Sequence, residues 1–150
     1  MGSDLILAEF MNLMCFKIGL AARKIQKYNN NKFAEYGITI AQSFILFSLL
    51  ESDGLNVKNL AECLCIDSSA ITALVDRLEK EHLIERRIDP EDRRALRIFL
   101  TDKGRDLAKV VYPIAIASNE ELKHNLKQEE RDTIDNFLNN LKNNGNINEG

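Results

Sequence analysis

Arg77, Lys80, Arg86, Arg93 and Arg94 all fall in one stretch from Asp67 to Thr101, D-S-S-A-I-T-A-L-V-D-R-L-E-K-E-H-L-I-E-R-R-I-D-P-E-D-R-R-A-L-R-I-F-L-T. Side chains that stay charged at every physiological pH do not break bonds by themselves. They neutralise phosphates and hydrogen-bond to base edges. Ser68, Ser69, Thr72 and Ala73 precede the cations and are short, as a backbone approaching base edges requires. With Asp76 they form one outward set, from whose far end Arg77 and Lys80 can reach phosphates. The nucleic-acid contact set read from the residues is therefore Ser68, Ser69, Thr72, Ala73, Asp76, Arg77 and Lys80, then Arg86, Asp92, Arg93 and Arg94.

These residues need a helix and a hairpin to hold them. The carboxylate of Asp67 suits a helix N-cap, accepting from the unpaired N–H groups of the first turn. Behind it Ile71, Leu74, Val75 and Leu78 recur at three and four, an apolar stripe that demands a core. Ile84 to Asp89 and Leu96 to Thr101 read as strands, the second with Leu96, Ile98 and Leu100 on one face. Between them Asp89-Pro90-Glu91-Asp92-Arg93-Arg94-Ala95 has a turn's composition. A guanidinium on such a tip fits a narrow minor groove, and Asp92 beside it is expected to hold the fork. Taken singly, a solvated amphipathic helix and a hairpin with neighbouring salt bridges give the same two patterns.

Upstream, the run Phe44, Ile45, Phe47, Leu49 and Leu50 after Gly37 reads as a buried helix, and Ser52-Asp53-Gly54 as its stop. A helix over about Val57 to Cys65 turns Leu60 and Leu64 inward and leads through Ile66-Asp67 into the next, a compact helix-turn-helix spacing. The whole run D-S-S-A-I-T-A-L-V-D-R-L-E-K-E-H-L-I-E-R-R-x-D-P-E-D-R-R-A-x-x-I-x-L-T-x-x-G resembles the signature of the MarR family of bacterial transcriptional regulators. Helices around it, including G-I-T-I-A-Q-S-F-I-L-F-S-L-L and V-K-N-L-A-E-C-L-C-I, follow the family's order. The resemblance implies a mainly α fold with a small β-hairpin wing: a winged helix-turn-helix with N- and C-terminal dimerisation helices. It implies one domain over 1–150, with dimerisation helices near 5–30 and 102–142 and a DNA-binding lobe near 38–101; the two ends fall outside the resemblance, and the polar, Asn-rich residues 143–150 are expected to be a frayed tail. It also implies an obligate dimer that sets each second helix in a major groove. Arg94 then makes the minor-groove contact by position, and Asp92 supports it.

A chain of 150 residues with 45% hydrophobic content suits one domain. Its formal charge of -3 runs against a phosphate binder, so the local gathering of cations must carry that affinity. No stretch approaches about 18 consecutive apolar residues, and a cytoplasmic protein with no membrane partner is expected. Cys15, Cys63 and Cys65 make an odd count, unsuited to a disulfide framework, and His82 and His124 lie too far off to complete a zinc site. Neither metal nor cofactor is expected. With no Ser/His/Asp set and no phosphate-cradling glycine loop, an enzyme is not expected either.

Leu7, Met11, Met14, Ile18, Ala21, Ile25 and Tyr28 form a heptad-like seam along one first helix, which Asn29-Asn30-Asn31 should end. Ile134, Phe137, Leu138 and Leu141 give the last helix a matching stripe. The expected dimer interface is Leu7, Met11, Met14 and Ile18 with Ile134, Phe137, Leu138 and Leu141. Pro113 should kink the long helix that follows the hairpin. For an effector, a small amphiphilic or aromatic acid, Phe16, Tyr28, Phe44 and Phe47 are candidate walls and Lys17 and Arg23 anion partners. The setting of Cys15, L-M-C-F, is similar to that of organic-hydroperoxide sensors within the family, where the thiolate becomes a sulfenic acid. Tyrosines line that thiolate, whereas the matching positions here are Gly19, Asn29 and Ile40. The expected function is a homodimeric DNA-binding regulator, a repressor released by its effector, binding a pseudo-palindromic duplex operator. A peroxide-sensing repressor using Cys15 and a winged-helix protein-interaction module are the alternatives.

Overall fold

A computed structural model describes residues 2–143, with side-chain burial from residue 5 onward. The helices are α1 (Gly2–Met11), α2 (Met14–Phe33), α3 (Ile40–Glu51), α4 (Val57–Leu64), α5 (Ser68–Lys80), α6 (Asp102–Lys123) and α7 (Gln128–Asn143). A 3-10 turn spans Ala34–Tyr36, and the strands are β1 (Ile84–Ile88) and β2 (Leu96–Leu100). The chain is mainly α with one antiparallel hairpin, as expected. Of the tail expected over 143–150, everything after Asn143 lies outside the described residues. Two compact units divide after Ile114.

The first helix is not continuous. The Asn12 side-chain amide donates back to the Ala8 carbonyl at 3.0 Å, and the N–H groups of Asn12 and Leu13 reach Glu9 and Phe10 at 3.1 and 3.0 Å. That three-residue spacing tightens the last turn of α1, and Leu13 then turns extended, so the axis bends by 64°. The asparagine run does not end α2 either. Asn29 donates to the Ile25 carbonyl at 3.0 Å, and the Asn30 Oδ1 accepts from the N–H of Ile40 at 2.8 Å. The helix passes through them to Phe33, and Asn30 helps to hold the start of α3.

Two capping boxes open the next helices. Thr39 Oγ1 accepts from Gln42 N–H at 3.3 Å while Gln42 Oε1 accepts from Thr39 N–H at 2.7 Å, and Asn56 and Asn59 do the same for α4. Cys65, with φ at +52°, closes α4 in the left-handed region and redirects the chain into α5. Asp67 stands at the N-cap of α5 as expected, yet its carboxylate makes no capping bond and stays exposed. Only its carbonyl is used, accepting from Ile71 N–H at 3.0 Å. At the other end His82 turns left-handed at φ +58°, and the N–H groups of His82 and Leu83 return to Glu79 and Leu78 at 2.9 and 3.0 Å.

The strands pair from Ile84↔Leu100 to Ile88↔Leu96, and Leu55 adds a bridge to Ile98. Ile45, Leu46 and Leu49 of α3, Leu60 of α4, and Ile71, Val75 and Leu78 of α5 form the core with Ile84, Ile98 and Leu100. Ala108 and Val111 of α6 join it, as do Phe33, Ile38, Ile40 and Leu83. Leu96 shares the face of Ile98 and Leu100 but lies beyond the core and is exposed; Phe44 of α3 is likewise exposed rather than buried. Gly104 lets α6 sit directly on the turn between α5 and β1, because a Cβ there would stand 1.8 Å from the Leu83 carbonyl oxygen. α6 is helical on both sides of Pro113.

The unit from Ala115 comprises the rest of α6 and α7. Arg131 donates to the Lys123 carbonyl at 2.8 Å and pairs with Glu120 at 3.3 Å, and Lys123 pairs with Asp135 at 3.3 Å. Ile134, Phe137, Leu138 and Leu141 are left exposed along α7. Among the described residues, no single helix is long and apolar enough to cross a membrane.

Candidate nucleic-acid interface

The outer face of α5 carries the small residues where the sequence places them. Ser68, Ser69, Thr72, Ala73, Asp76, Arg77 and Lys80 are all exposed, while Ile71, Val75 and Leu78 hold the opposite side in the core. Thr72 turns its hydroxyl back to the Ser68 carbonyl at 2.9 Å, which lowers the polar profile of the first turn. Among the described residues no ion pair or side-chain hydrogen bond engages Arg77 or Lys80, so their charges face solvent.

The arginines of the hairpin divide into two groups. Arg86, expected at the contact surface, is instead a clamp: its guanidinium pairs with Asp76 and, at 2.7 Å, with Glu79, both on α5. Its backbone N–H also donates to Glu79 at 3.1 Å. Burial alone would lower the Arg86 pKa, but the bonds and charges of Asp76 and Glu79 outweigh it and raise the pKa above its ordinary value. Asp76 is thereby tied to the hairpin rather than free. On the other face Arg87 pairs with Glu85 and lies over the Phe99 ring, 4.4 Å from its centroid. Arg97 donates to Asp89 at 2.8 Å. The N–H of Glu91, and after it Arg97, hold the Asp89 carboxyl below its ordinary range, and Asp89 in turn raises Arg97.

At the tip, Arg93 and Arg94 have exposed side chains that no described residue pairs with. Asp92 does not hold the Arg94 guanidinium as expected. Its carboxylate accepts from the backbone N–H of Arg94 at 3.0 Å, a local turn bond, and its carbonyl accepts from Ala95 N–H at 3.0 Å. The tip is shaped through its main chain, and both guanidinium groups remain available.

The hairpin's base is fixed by Asp53, Thr101 and Lys103. Asp53 accepts from the N–H of Leu100 at 2.9 Å and from Arg105 at 2.7 Å, joining the α3–α4 turn to β2 and α6. Thr101 donates its hydroxyl to the His82 carbonyl at 2.7 Å and accepts from Gly104 N–H at 3.0 Å. Lys103 donates to the Glu81 carbonyl at 2.9 Å. An aspartate followed by glycine at a helix end signals a turn, and nothing local marks a partner 47 residues away.

The effector candidates are placed in separate pairings. Phe16 meets Phe10 edge-on at 5.3 Å, Phe47 meets Tyr112 at 5.1 Å, and Lys32 stands 4.9 Å over Tyr28. Phe44, Lys17 and Arg23 are exposed. A cleft of about 310 Å³ in the first unit is lined by Tyr36, Gly37, Glu81, Leu83, Lys103, Asp106, Leu107 and Val110, none of them among those candidates. Cys15, Cys63 and Cys65 are free and exposed. Leu7, Met11, Met14 and Ile18 are exposed along α1 and α2.

A sequence model of the MarR family matches residues 38–96, the span from the start of α3 to the start of β2. The HTH-type transcriptional regulator SarZ of Staphylococcus epidermidis is 31% identical over 121 residues, 81% of this chain and 80% of that protein. The chain belongs to the MarR family. It carries the family's winged helix, with α5 as the second helix of the helix-turn-helix and β1–β2 as the wing. In structure this MarR-family chain is similar to the S. aureus MepR–DNA complex, with a TM-score of 0.80 at 24% identity over 86% of this chain and 95% of that one. It is also similar to apo MarR from E. coli, with a TM-score of 0.69 at 25% identity over 86% and 96%.

Proposed function

We propose that this MarR-family protein is a homodimeric, sequence-specific DNA-binding transcriptional regulator, a repressor that a small-molecule effector releases. The observation that carries the reading is the unpaired state of Arg77, Lys80, Arg93 and Arg94, in a chain whose hairpin otherwise joins each arginine to a carboxylate. Free guanidinium groups on a projecting tip beside a helix with a small polar face suit a duplex: α5 in a major groove, the wing in the neighbouring minor groove. MepR, similar in fold, was crystallised with DNA. The exposed apolar residues of α1, α2 and α7 favour a second copy as their cover, which would set two recognition helices about 34 Å apart on a pseudo-palindrome. The effector is a small amphiphilic or aromatic acid, and the protein acts as a regulator rather than an enzyme.

The test is duplex affinity against salt, with sedimentation of the free protein. The wild type should sediment as a dimer and lose affinity steeply as salt rises. The Arg77→Ala/Arg93→Ala/Arg94→Ala variant should keep its fold and lose most of its binding. Binding by that variant equal to wild type would favour a protein-interaction module instead. A second reading, a peroxide-sensing thiol, is favoured by the exposure of Cys15. Peroxide should then release DNA from wild type and not from Cys15→Ser.

A further inference from the structure

We propose that Ile88 and Leu96 form an apolar ledge that packs on the deoxyribose edge of the DNA strand passing between recognition helix and wing. The proposal rests on the DNA-binding reading above and adds a contact that uses no charge.

In an antiparallel pair, opposed residues share a face, and every second residue along a strand returns to it. The register therefore aligns Ile84 with Leu100, Arg86 with Ile98 and Ile88 with Leu96 on one side of the hairpin. At the base this side is core, with Ile84, Ile98 and Leu100 buried. Halfway along, Arg86 reaches Asp76 and Glu79, so the side looks toward α5. At the outer end Ile88 is 63% and Leu96 48% exposed. The other side of the hairpin closes on itself through Arg87 with Glu85 and Phe99, and Arg97 with Asp89.

Along the hairpin the ledge thus falls between the Arg86 clamp to α5, the helix that carries the unpaired Arg77 and Lys80, and the tip that carries the unpaired Arg93 and Arg94. A partner gripped by both is a polyanion, and in the proposed complex the strand that bridges the two grips passes Ile88 and Leu96. A phosphate set against them would lose water and gain no donor. The C–H edge of a deoxyribose has the chemistry that fits, and placing a sugar there fixes where the flanking phosphates stand.

The experiment uses the full chain and the duplex that wild type selects. Ile88→Thr/Leu96→Thr keeps strand-forming, branched residues and removes apolar surface. Binding should weaken about ten-fold, while the slope of log affinity against log salt stays that of wild type, because no cation is lost. Ile88→Val/Leu96→Val should restore wild-type affinity. Unchanged affinity in the threonine variant, or a loss that comes with a shallower salt slope, would overturn the ledge. A second measurement does not depend on the variant's stability. A single ribonucleotide in the wing footprint puts a 2′-hydroxyl in the minor groove and should weaken wild type at least three-fold more than an all-deoxy duplex; no loss overturns the contact. Failure of wild type to bind any duplex would sink the DNA-binding reading itself, whereas tight wild-type binding with an indifferent threonine variant sinks only the ledge.

Discussion

The stem and the tip of one hairpin use arginine in opposite ways. In the stem Arg86, Arg87 and Arg97 each meet a carboxylate, and Arg86 lies mostly out of solvent, its side chain 21% exposed. At the tip Arg93 and Arg94 meet none, although Asp92 is their neighbour in sequence. The difference is where the carboxylate is directed: Asp76 and Glu79 point from α5 into the stem, whereas Asp92 turns back to its own main chain. Charge held by a partner fixes geometry and offers little to a ligand; charge left in water keeps its donors for one.

If that division holds, changes beneath the stem should cost stability and changes at the tip should cost binding alone. The largest effect is expected at Gly104, where a methyl group has no room against the Leu83 carbonyl. Gly104→Ala should lower unfolding free energy by about 3 kcal/mol in urea titrations. Arg86→Ala leaves two carboxylates of α5 facing an emptied site and should cost about 2 kcal/mol, with weaker duplex binding as the wing loosens. Arg93→Ala/Arg94→Ala should change stability by no more than about 0.5 kcal/mol, while the salt slope of duplex binding falls by about 1 for each phosphate contact removed. A large loss of stability from the tip variant would erase the distinction between the two regions.

The smallest effect concerns Asp89, whose carboxyl is held below its ordinary 3.8 by the Glu91 N–H and then by Arg97. A depressed folded-state pKa makes its contribution complete above the unfolded value of about 3.8 and lost as pH falls through the lower one. Amide protection at the tip, corrected for the intrinsic pH dependence of exchange, should therefore fall only in that acid window, and Asp89→Asn should remove that fall.

The recognition helix and both strands were legible because their patterns answer to the core: Ile71, Val75 and Leu78 at helical spacing, Ile98 and Leu100 in alternation. The role of Arg86 was not, because in sequence it is one more cation, and only a partner ten residues back on another element makes it a clamp. Asp67 was placed at the right position with the wrong chemistry, since residue type sets cap preference but side-chain rotation decides the bond. The break at Asn12–Leu13 was hidden because the apolar spacing runs on across it while hydrogen bonding does not. Close approaches such as Gly104 to Leu83 leave no local trace beyond a glycine in a helix.

The bridge from Leu55 gives the hairpin a third partner, with Ile98 N–H donating to Leu55 at 2.8 Å and Gly54 N–H to Ile98 at 3.0 Å. A two-stranded hairpin alone is marginal in water, so this short segment turns a flexible ribbon into a fixed lever. Its length is consequently constrained: one residue inserted between Ser52 and Asn56 would shift Leu55 out of step with Ile98 and break the Asp53 bond to Leu100. The same insertion among residues 90–94 would disturb the local turn bonds of Asp92 and leave the Leu55 bridge and the Asp53 bond in place. Drift in chain length is thus tolerated more readily at the tip of the hairpin than at the base that aims it.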